Sequence, residues 1–272
     1  MEQVRGVLNY LEEMAEKPVT YTYEPPPGVA ARSGRTVKHE VEVTDGRAIA
    51  NQLSLDVEGF VLTPHVSAVR DFYDADEVKR IYYSEMERLV RESTGAARVV
   101  VFDHNVRNGS KEMRAKLGVR EPVRFAHNDY TLKSGPQRVR ELCGDAQAER
   151  LLKHRYVFIN VWRPIRGPVE QSPLAICDAR SVRQEDFIAT DLVYRDRVGE
   201  VYSVRYNPAH RWFYFSRMRP DEALLLKCFD SDGSRARYTA HSAFEETTAK
   251  PDAAPRESIE ARTIAFFAPD GN

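Results

Sequence analysis

From residue 98 onward the chain is a succession of short β-branched and aromatic runs with turn residues between them. Nothing else in the sequence constrains the fold as tightly. The runs cover 98–104, 122–130, 156–164, 174–178, 191–194, 201–206, 211–215, 224–230, 240–244 and 258–267. Many short strands at such spacing specify a closed or two-sheet β architecture, such as a jelly roll. Earlier strands are expected at 37–43, stopped by the turn Asp45-Gly46, and at 56–65, stopped near Pro64. Helices flank this core. Val4, Val7, Leu8, Leu11 and Met14 follow i, i+3, i+4 spacing and predict a helix over 1–17. Val78, Ile81, Tyr82, Met86 and Leu89 line one face of a helix over 77–91, capped by Asp74 or Asp76 and stopped at Thr94-Gly95. A third helix is expected over 137–153. The fold class is therefore mainly β with flanking helices.

At 272 residues and 42% apolar content, one domain with a sizeable core is expected. Residues 1–97 read as a helical and strand extension packed on a 98–272 jelly-roll core. Pro25-Pro26-Pro27-Gly28 forces an extended connection inside that extension. The net charge is −1 and the 40 basic residues are scattered, which argues against a nucleic-acid or membrane partner. No apolar stretch reaches membrane-span length and the N-terminus has no apolar signal core, so a cytoplasmic protein is expected. Cys143, Cys177 and Cys228 are far apart and form no Cys-x-x-Cys, which argues for free thiols over a disulfide framework or structural zinc.

Within this β pattern, Phe125-Ala126-His127-Asn128-Asp129-Tyr130-Thr131 stands out. In a strand, residues i and i+2 share a face, so His127 and Asp129 aim an imidazole and a carboxylate at one point while Asn128 faces away. A third ligand from another histidine completes the two-His-one-carboxylate set of non-haem Fe(II) oxygenases. His-x-Asp pairs are common enough by chance that the motif alone does not decide. Two later histidines are available. His241 sits in an expected strand, whereas His210 follows Pro208 in a turn, so His241 is preferred. Arg256-Glu257-Ser258 follows His241 by 15 residues and places a guanidinium and a hydroxyl on one strand face. That pair is suited to holding a carboxylate in a pocket. A 2-oxoglutarate oxygenase needs each part: a triad for iron, and a cation for the far carboxylate of the keto acid. In the strand 156–164, alternation places Asn160 and Trp162 on one face and Val161 and Arg163 on the other, so only one set can face the site. Tyr130, Asn160, Trp162, Arg163 and His210 are candidates for substrate contact or for supporting the ligands. Trp212-Phe213-Tyr214-Phe215 reads as core, and His65 and His104 as structural.

These segments together resemble the CmcJ-, NvfI- and AsaB-type hydroxylase/desaturase family. The resemblance covers most of the chain from about residue 50. It rests on Tyr82-Tyr83-x-Glu85, Val101-Phe102-Asp103-His104, His127-Asn128-Asp129-Tyr130-Thr131 and Asn160-Val161-Trp162-Arg163-Pro164. It continues through Pro173 to Asp178, His210 to Phe215, Lys227-x-Phe229-Asp230-Ser231, His241-Ser242-Ala243-Phe244 and Arg256 to Arg262. The resemblance implies a double-stranded β-helix, cupin-like, that binds Fe(II) and 2-oxoglutarate and uses O2 as co-substrate. It implies His127, Asp129 and His241 as iron ligands and Arg256 and Ser258 as 2-oxoglutarate anchors. The interval from His241 to Arg256 is longer than the common oxygenase pattern, filled by Lys250-Pro251-Asp252-Ala253-Ala254-Pro255, and Arg163 is the alternative anchor. The expected activity is oxidation of a small-molecule C–H bond, as hydroxylation, desaturation or oxidative cyclisation in specialised metabolism. The alternatives are a non-catalytic partner subunit of a biosynthetic enzyme, or a cupin-like metal enzyme that does not use 2-oxoglutarate.

Overall fold

The structure is a computed structural model that describes residues 1–247, 250 and 252–268. Its strands are β1 (Gln3–Leu11), β2 (Val19–Tyr21), β3 (Thr36–Asp45), β4 (Phe60–Pro64), β5 (Arg98–Asn108), β6 (His127–Asn128), β7 (Tyr156–Pro164) and β8 (Leu174–Cys177), followed by β9 (Phe187–Val193), β10 (Val198–Val204), β11 (Trp212–Tyr214), β12 (Glu222–Asp230), β13 (His241–Ala243), β14 (Glu245–Glu246) and β15 (Glu257–Phe266). They form two sheets. The larger runs β14-β1-β3-β11-β8-β13-β6-β10-β9-β2, and the smaller runs β4-β12-β7-β15-β5. This is the two-sheet β architecture expected from the strand spacing.

Alternation along the smaller sheet divides the interior into two layers. Phe158, Trp162, Leu224, Leu226 and Ile264 turn toward the larger sheet and meet Phe60, Ile176 and Phe213. Val157, Ile159, Val161, Leu225, Ile259 and Ala261 turn outward and are covered by a helix carrying Val78, Tyr82, Met86, Leu89 and Val90. That helix starts as α1 (Ala75–Glu77), passes through a π turn at Val78–Tyr82 and continues as α2 (Tyr83–Thr94). Asp74 accepts from the backbone N–H of Asp76 and Glu77 at its start, and Gly95, at φ 71°, closes it in the left-handed conformation. Central strands buried on both faces read as continuous apolar runs, which is why β7 matches its sequence-predicted bounds.

Three expectations are corrected. Residues 3–11 are a strand, not a helix. Gly6, Leu8 and Tyr10 are buried at period two, and β1 pairs with β3 from Gln3↔Thr44 to Leu11↔Thr36. At Gly6 a Cβ would lie 2.5 Å from Phe244, so the strand packs where only glycine fits. The helix expected over 137–153 is two, α4 (Ser134–Cys143) and α5 (Asp145–Leu151), broken at Gly144, whose backbone is non-helical (φ 74°, ψ 154°); a short α3 (Lys111–Leu117) precedes them. In 122–130 only His127–Asn128 pair as a strand. Residues before 97 supply β1, β2 and β3 to one sheet and β4 to the other. No helix among the described residues is long and apolar enough to cross a membrane.

Candidate active site

Three side chains from two distant parts of the chain converge on the inner face of the larger sheet. β6 and β13 pair with His127 opposite His241, and Asp129 lies just past β6. The imidazole rings are 4.4 Å apart between centroids, and His127 Nε2 lies 3.6 Å from Asp129 Oδ1. One donor atom from each of the three residues lies within 4.8 Å of the others. The tautomers are set by the partners. His127 Nδ1 is 2.8 Å from the Phe125 carbonyl oxygen, and His241 Nδ1 is 3.0 Å from that of Thr239. A carbonyl only accepts, so each Nδ1 carries a proton and each Nε2 is the nitrogen left to face a metal. Outer hydrogen bonds of this kind orient histidines for metal ligation. Asn128 turns away, as expected, and donates from Nδ2 to the carbonyls of Tyr130 and Cys228.

The smaller sheet supplies the opposite wall. Asn160 Nδ2 donates to Asp129 Oδ2 at 2.7 Å. Its cross-strand neighbour on β15 is Arg262, whose Nε lies 3.7 Å from the same oxygen. Burial opposes charge on Asp129, but Arg262, then the two imidazoles and the Asn160 amide, outweigh it. They hold the carboxyl below the usual carboxylate range, so the group is anionic at neutral pH. Two imidazole lone pairs and one carboxylate on a single face suit a divalent iron that keeps open positions.

A narrow cavity leads from His127 and His241 to Arg256 and Ser258, past Trp162. Arg256 is buried, donates from Nη1 to the Ser172 carbonyl at 2.7 Å, and lies 5.3 Å from the centroid of the Trp162 ring. Its Nε has no hydrogen-bond partner, and no carboxylate pairs with it among the described residues. Burial, and then the charge of Arg107, push its pKa down to about 9. A buried cation with an orphaned donor fits the distal carboxylate of a dicarboxylic keto acid. The chain comes close to reach this point: at Gly109 a Cβ would lie 3.1 Å from the Arg256 nitrogen. The long interval before Arg256 thus does not displace it from the cavity, although residues 248, 249 and 251 lie outside the described set.

On the other side of His127 and Asp129 a cleft of about 760 Å³ opens, with Tyr130, Phe102, Phe125 and Arg262 in its wall. Tyr130 stacks on Phe158 at 4.1 Å and borders this space. Arg163 does not join the site. It points to the helix side of β7, where it meets His65 and the Pro220 carbonyl oxygen, away from the cavity of Arg256 and Ser258. The alternation that turns Asn160 and Trp162 inward turns Arg163 out. His210 is likewise elsewhere, with Nε2 3.2 Å from Asp186. Arg262 and Glu260 were not among the expected site residues. Their signal was parity: residues 256, 258, 260 and 262 share one strand face. Arg107 was missed because β5 runs to Asn108, past the expected end at residue 104.

Burial lowers the pKa of His65, His104, His127 and His210, with His127 pushed down to about 3 by desolvation and by His241. The unfolded imidazoles take up protons near pH 6.5 that the folded chain refuses. Stability present above about pH 6.5 is therefore lost as the pH falls toward 3. The metal-free protein is expected to melt at progressively lower temperature between pH 7 and pH 5, and His127→Asn to flatten that slope. A melting temperature independent of pH over this range contradicts the assignment.

Comparison with known proteins agrees with this geometry. A family model described as an oxidoreductase/YMDC permease-like domain matches residues 8–266. The hydroxylase/desaturase efuI of Hormonema carpetanum is 33% identical over 288 residues, spanning 97% of this chain and 95% of that protein. The Fe(II)/2-oxoglutarate-dependent dioxygenase nvfI of Aspergillus novofumigatus is 31% identical over 253 residues, 90% of each chain. A solved structure of the iron and alpha-ketoglutarate-dependent endoperoxidase NvfI matches with a TM-score of 0.87 at 26% identity, covering 98% of this chain and 99% of that one. With a family match over nearly the whole chain and relatives above 30% identity over nine-tenths of it or more, this chain belongs to the oxidoreductase family that includes the fungal hydroxylase/desaturases.

Proposed function

We propose that the chain is an Fe(II)- and 2-oxoglutarate-dependent oxygenase that oxidises a C–H bond of a small molecule. His127, Asp129 and His241 hold the iron, and Arg256 with Ser258 holds the distal carboxylate of 2-oxoglutarate. The observation that carries this reading is the pairing of two features in one cavity. Two imidazoles, clustered with the Asp129 carboxylate, sit at one end, and a buried arginine that pairs with no carboxylate among the described residues sits at the other. The first alone fits any cupin-like metal site. The second asks for an anionic co-substrate, and it favours 2-oxoglutarate use over the alternatives.

Iron with 2-oxoglutarate bound supplies oxidising power from O2, as the keto acid is converted to succinate and CO2. The chain's own residues do the rest by position. Asn160 and Arg262 fix the Asp129 carboxylate and keep it ionised. The Phe125 and Thr239 carbonyls accept from Nδ1–H of the two imidazoles and so turn each Nε2 inward. Trp162 walls the cofactor cavity, and Tyr130 borders the substrate cleft. Hydroxylation, desaturation and ring closure differ in which C–H bond the cleft presents and in the fate of the oxidised carbon. Both sheets draw strands from before and after residue 97, which supports one oxygenase domain.

The test is O2-dependent conversion of 2-oxoglutarate to succinate by the purified chain with Fe(II). Turnover that needs both is expected, and its absence in folded, iron-loaded protein overturns the proposal. Asn160→Ala removes the donor that orients Asp129. Iron affinity is expected to fall roughly 10–100-fold, as for other outer-sphere partners, with no comparable change in the 2-oxoglutarate requirement at saturating iron. Unchanged iron affinity contradicts the role given to Asn160.

A further inference from the structure

We propose that the small molecule oxidised here carries an oxyanion, a carboxylate or a phosphate, received by Arg32, Arg107 and Arg120 at the mouth of the substrate cleft. This rests on the oxygenase reading and adds the substrate's charge class.

The arginines of the cleft wall fall into two groups. Arg138 and Arg197 are neutralised by Glu141, at 2.9 and 3.4 Å. Arg262 is shared among Asp129, Glu260 and Asp103. Arg32, Arg107 and Arg120 line the same cleft, and among the described residues none of the three forms an ion pair with a carboxylate. They stand together. An open groove that continues from the cleft past Val119, Val123 and Phe125 is lined by the same three side chains. The acid of that groove, Glu121, is directed to another cation, Arg114, at 3.8 Å.

Arg107 and Arg120 are opposed across an isolated β-bridge, and the Arg120 carbonyl accepts from the Asn108 backbone N–H at 3.0 Å. Residues opposed across a bridge hold their side chains on the same face a few ångströms apart, and like charges placed so are destabilising. The Arg107 side chain donates from Nη1 to the Glu121 carbonyl at 2.8 Å, a neutral acceptor, and forms no ion pair with a carboxylate among the described residues. Arg32 lies over the Phe125 ring, 3.9 Å from its centroid, two residues before His127. Stacking of this kind fixes a guanidinium and leaves N–H groups free to bind. Three cations gathered beside the reaction centre, two of them opposed, and none paired with an acid among the described residues, are the expected arrangement for recognising an anion.

The test uses the full chain with Fe(II) and saturating 2-oxoglutarate without O2, so that the Arg256 cavity is already filled. Benzoate, phenyl phosphate and the neutral control methyl benzoate are titrated at constant ionic strength, and the melting temperature is followed. Benzoate or phenyl phosphate is expected to raise the melting temperature while methyl benzoate does not, and the more effective anion identifies the class. In the double variant Arg32→Gln and Arg120→Gln the apparent affinity for that anion is expected to fall roughly tenfold or more. Equal effects of anions and ester, no effect of either anion, or an anion effect undiminished in the variant overturns the proposal. The visible band of the iron–2-oxoglutarate complex is read in the same samples. Its presence in both proteins separates failure of this proposal from failure of the oxygenase reading.

Discussion

His241→Ala is expected to lower succinate formation by more than roughly 100-fold, beyond the 10–100-fold typical of losing an outer-sphere partner, whereas His210→Ala leaves it within a few-fold. The contrast comes from where the two imidazoles point. His241 Nδ1 is held by the Thr239 carbonyl and its Nε2 belongs to the cluster with His127 and Asp129. His210 is spent on Asp186 and stacks on Tyr10 at 5.9 Å between centroids, in a separate core. Loss of His241 leaves two ligands for the ion. Loss of His210 removes a structural contact, so its cost falls on stability, which a thermal melt reads separately. Comparable loss of turnover in two equally folded variants contradicts the assignment of the third ligand.

Arg256→Ala is expected to weaken 2-oxoglutarate binding by about 2–5 kcal/mol, roughly 30- to 4000-fold in Kd, the range for removing one partner of a buried charge pair. Turnover recovers at sufficiently high 2-oxoglutarate, since the iron ligands are untouched. The loss is specific because the two other guanidiniums lining the cavity, Arg107 and Arg262, are already engaged. Arg163 lies on the far face of β7, and Arg262 and Arg107 face other groups. Arg256→Lys is expected to restore only part of the affinity. An ammonium cannot keep the Ser172 carbonyl contact and present a planar fork at once. The ratio of 2-oxoglutarate KM values measured with iron saturated checks this. A KM unchanged in Arg256→Ala places the anchor elsewhere.

What the sequence made legible was parity. Strand alternation alone set His127 with Asp129, set Asn160 with Trp162 and put Arg163 on the opposite face from them, and the structure keeps each of these relations and shows which face meets the site. Largely apolar runs such as Tyr156–Pro164 also announced themselves, because a strand buried on both faces admits few polar residues, here Asn160 and Arg163. The failures have physical causes too. In residues 3–11 the valines and leucines fit a helical period by coincidence. The deciding fact, nine residues of pairing with β3, is long-range and has no local signature. The same holds for Arg262, which reaches Asp129 only because β15 lies beside β7 in one register. Gly144 divided a helix that its amphipathic pattern alone would have carried through.

One titration tests the iron site most directly. Fe(II) and 2-oxoglutarate are added to the protein without O2, and the weak visible charge-transfer band of a keto acid chelated to iron is recorded. Wild type is predicted to develop the band, Asp129→Ala and His241→Ala to lack it, and Arg256→Ala to need far more 2-oxoglutarate to reach it. Folded wild-type protein with no band, or a band undiminished in Asp129→Ala, would contradict an iron site built on His127, Asp129 and His241.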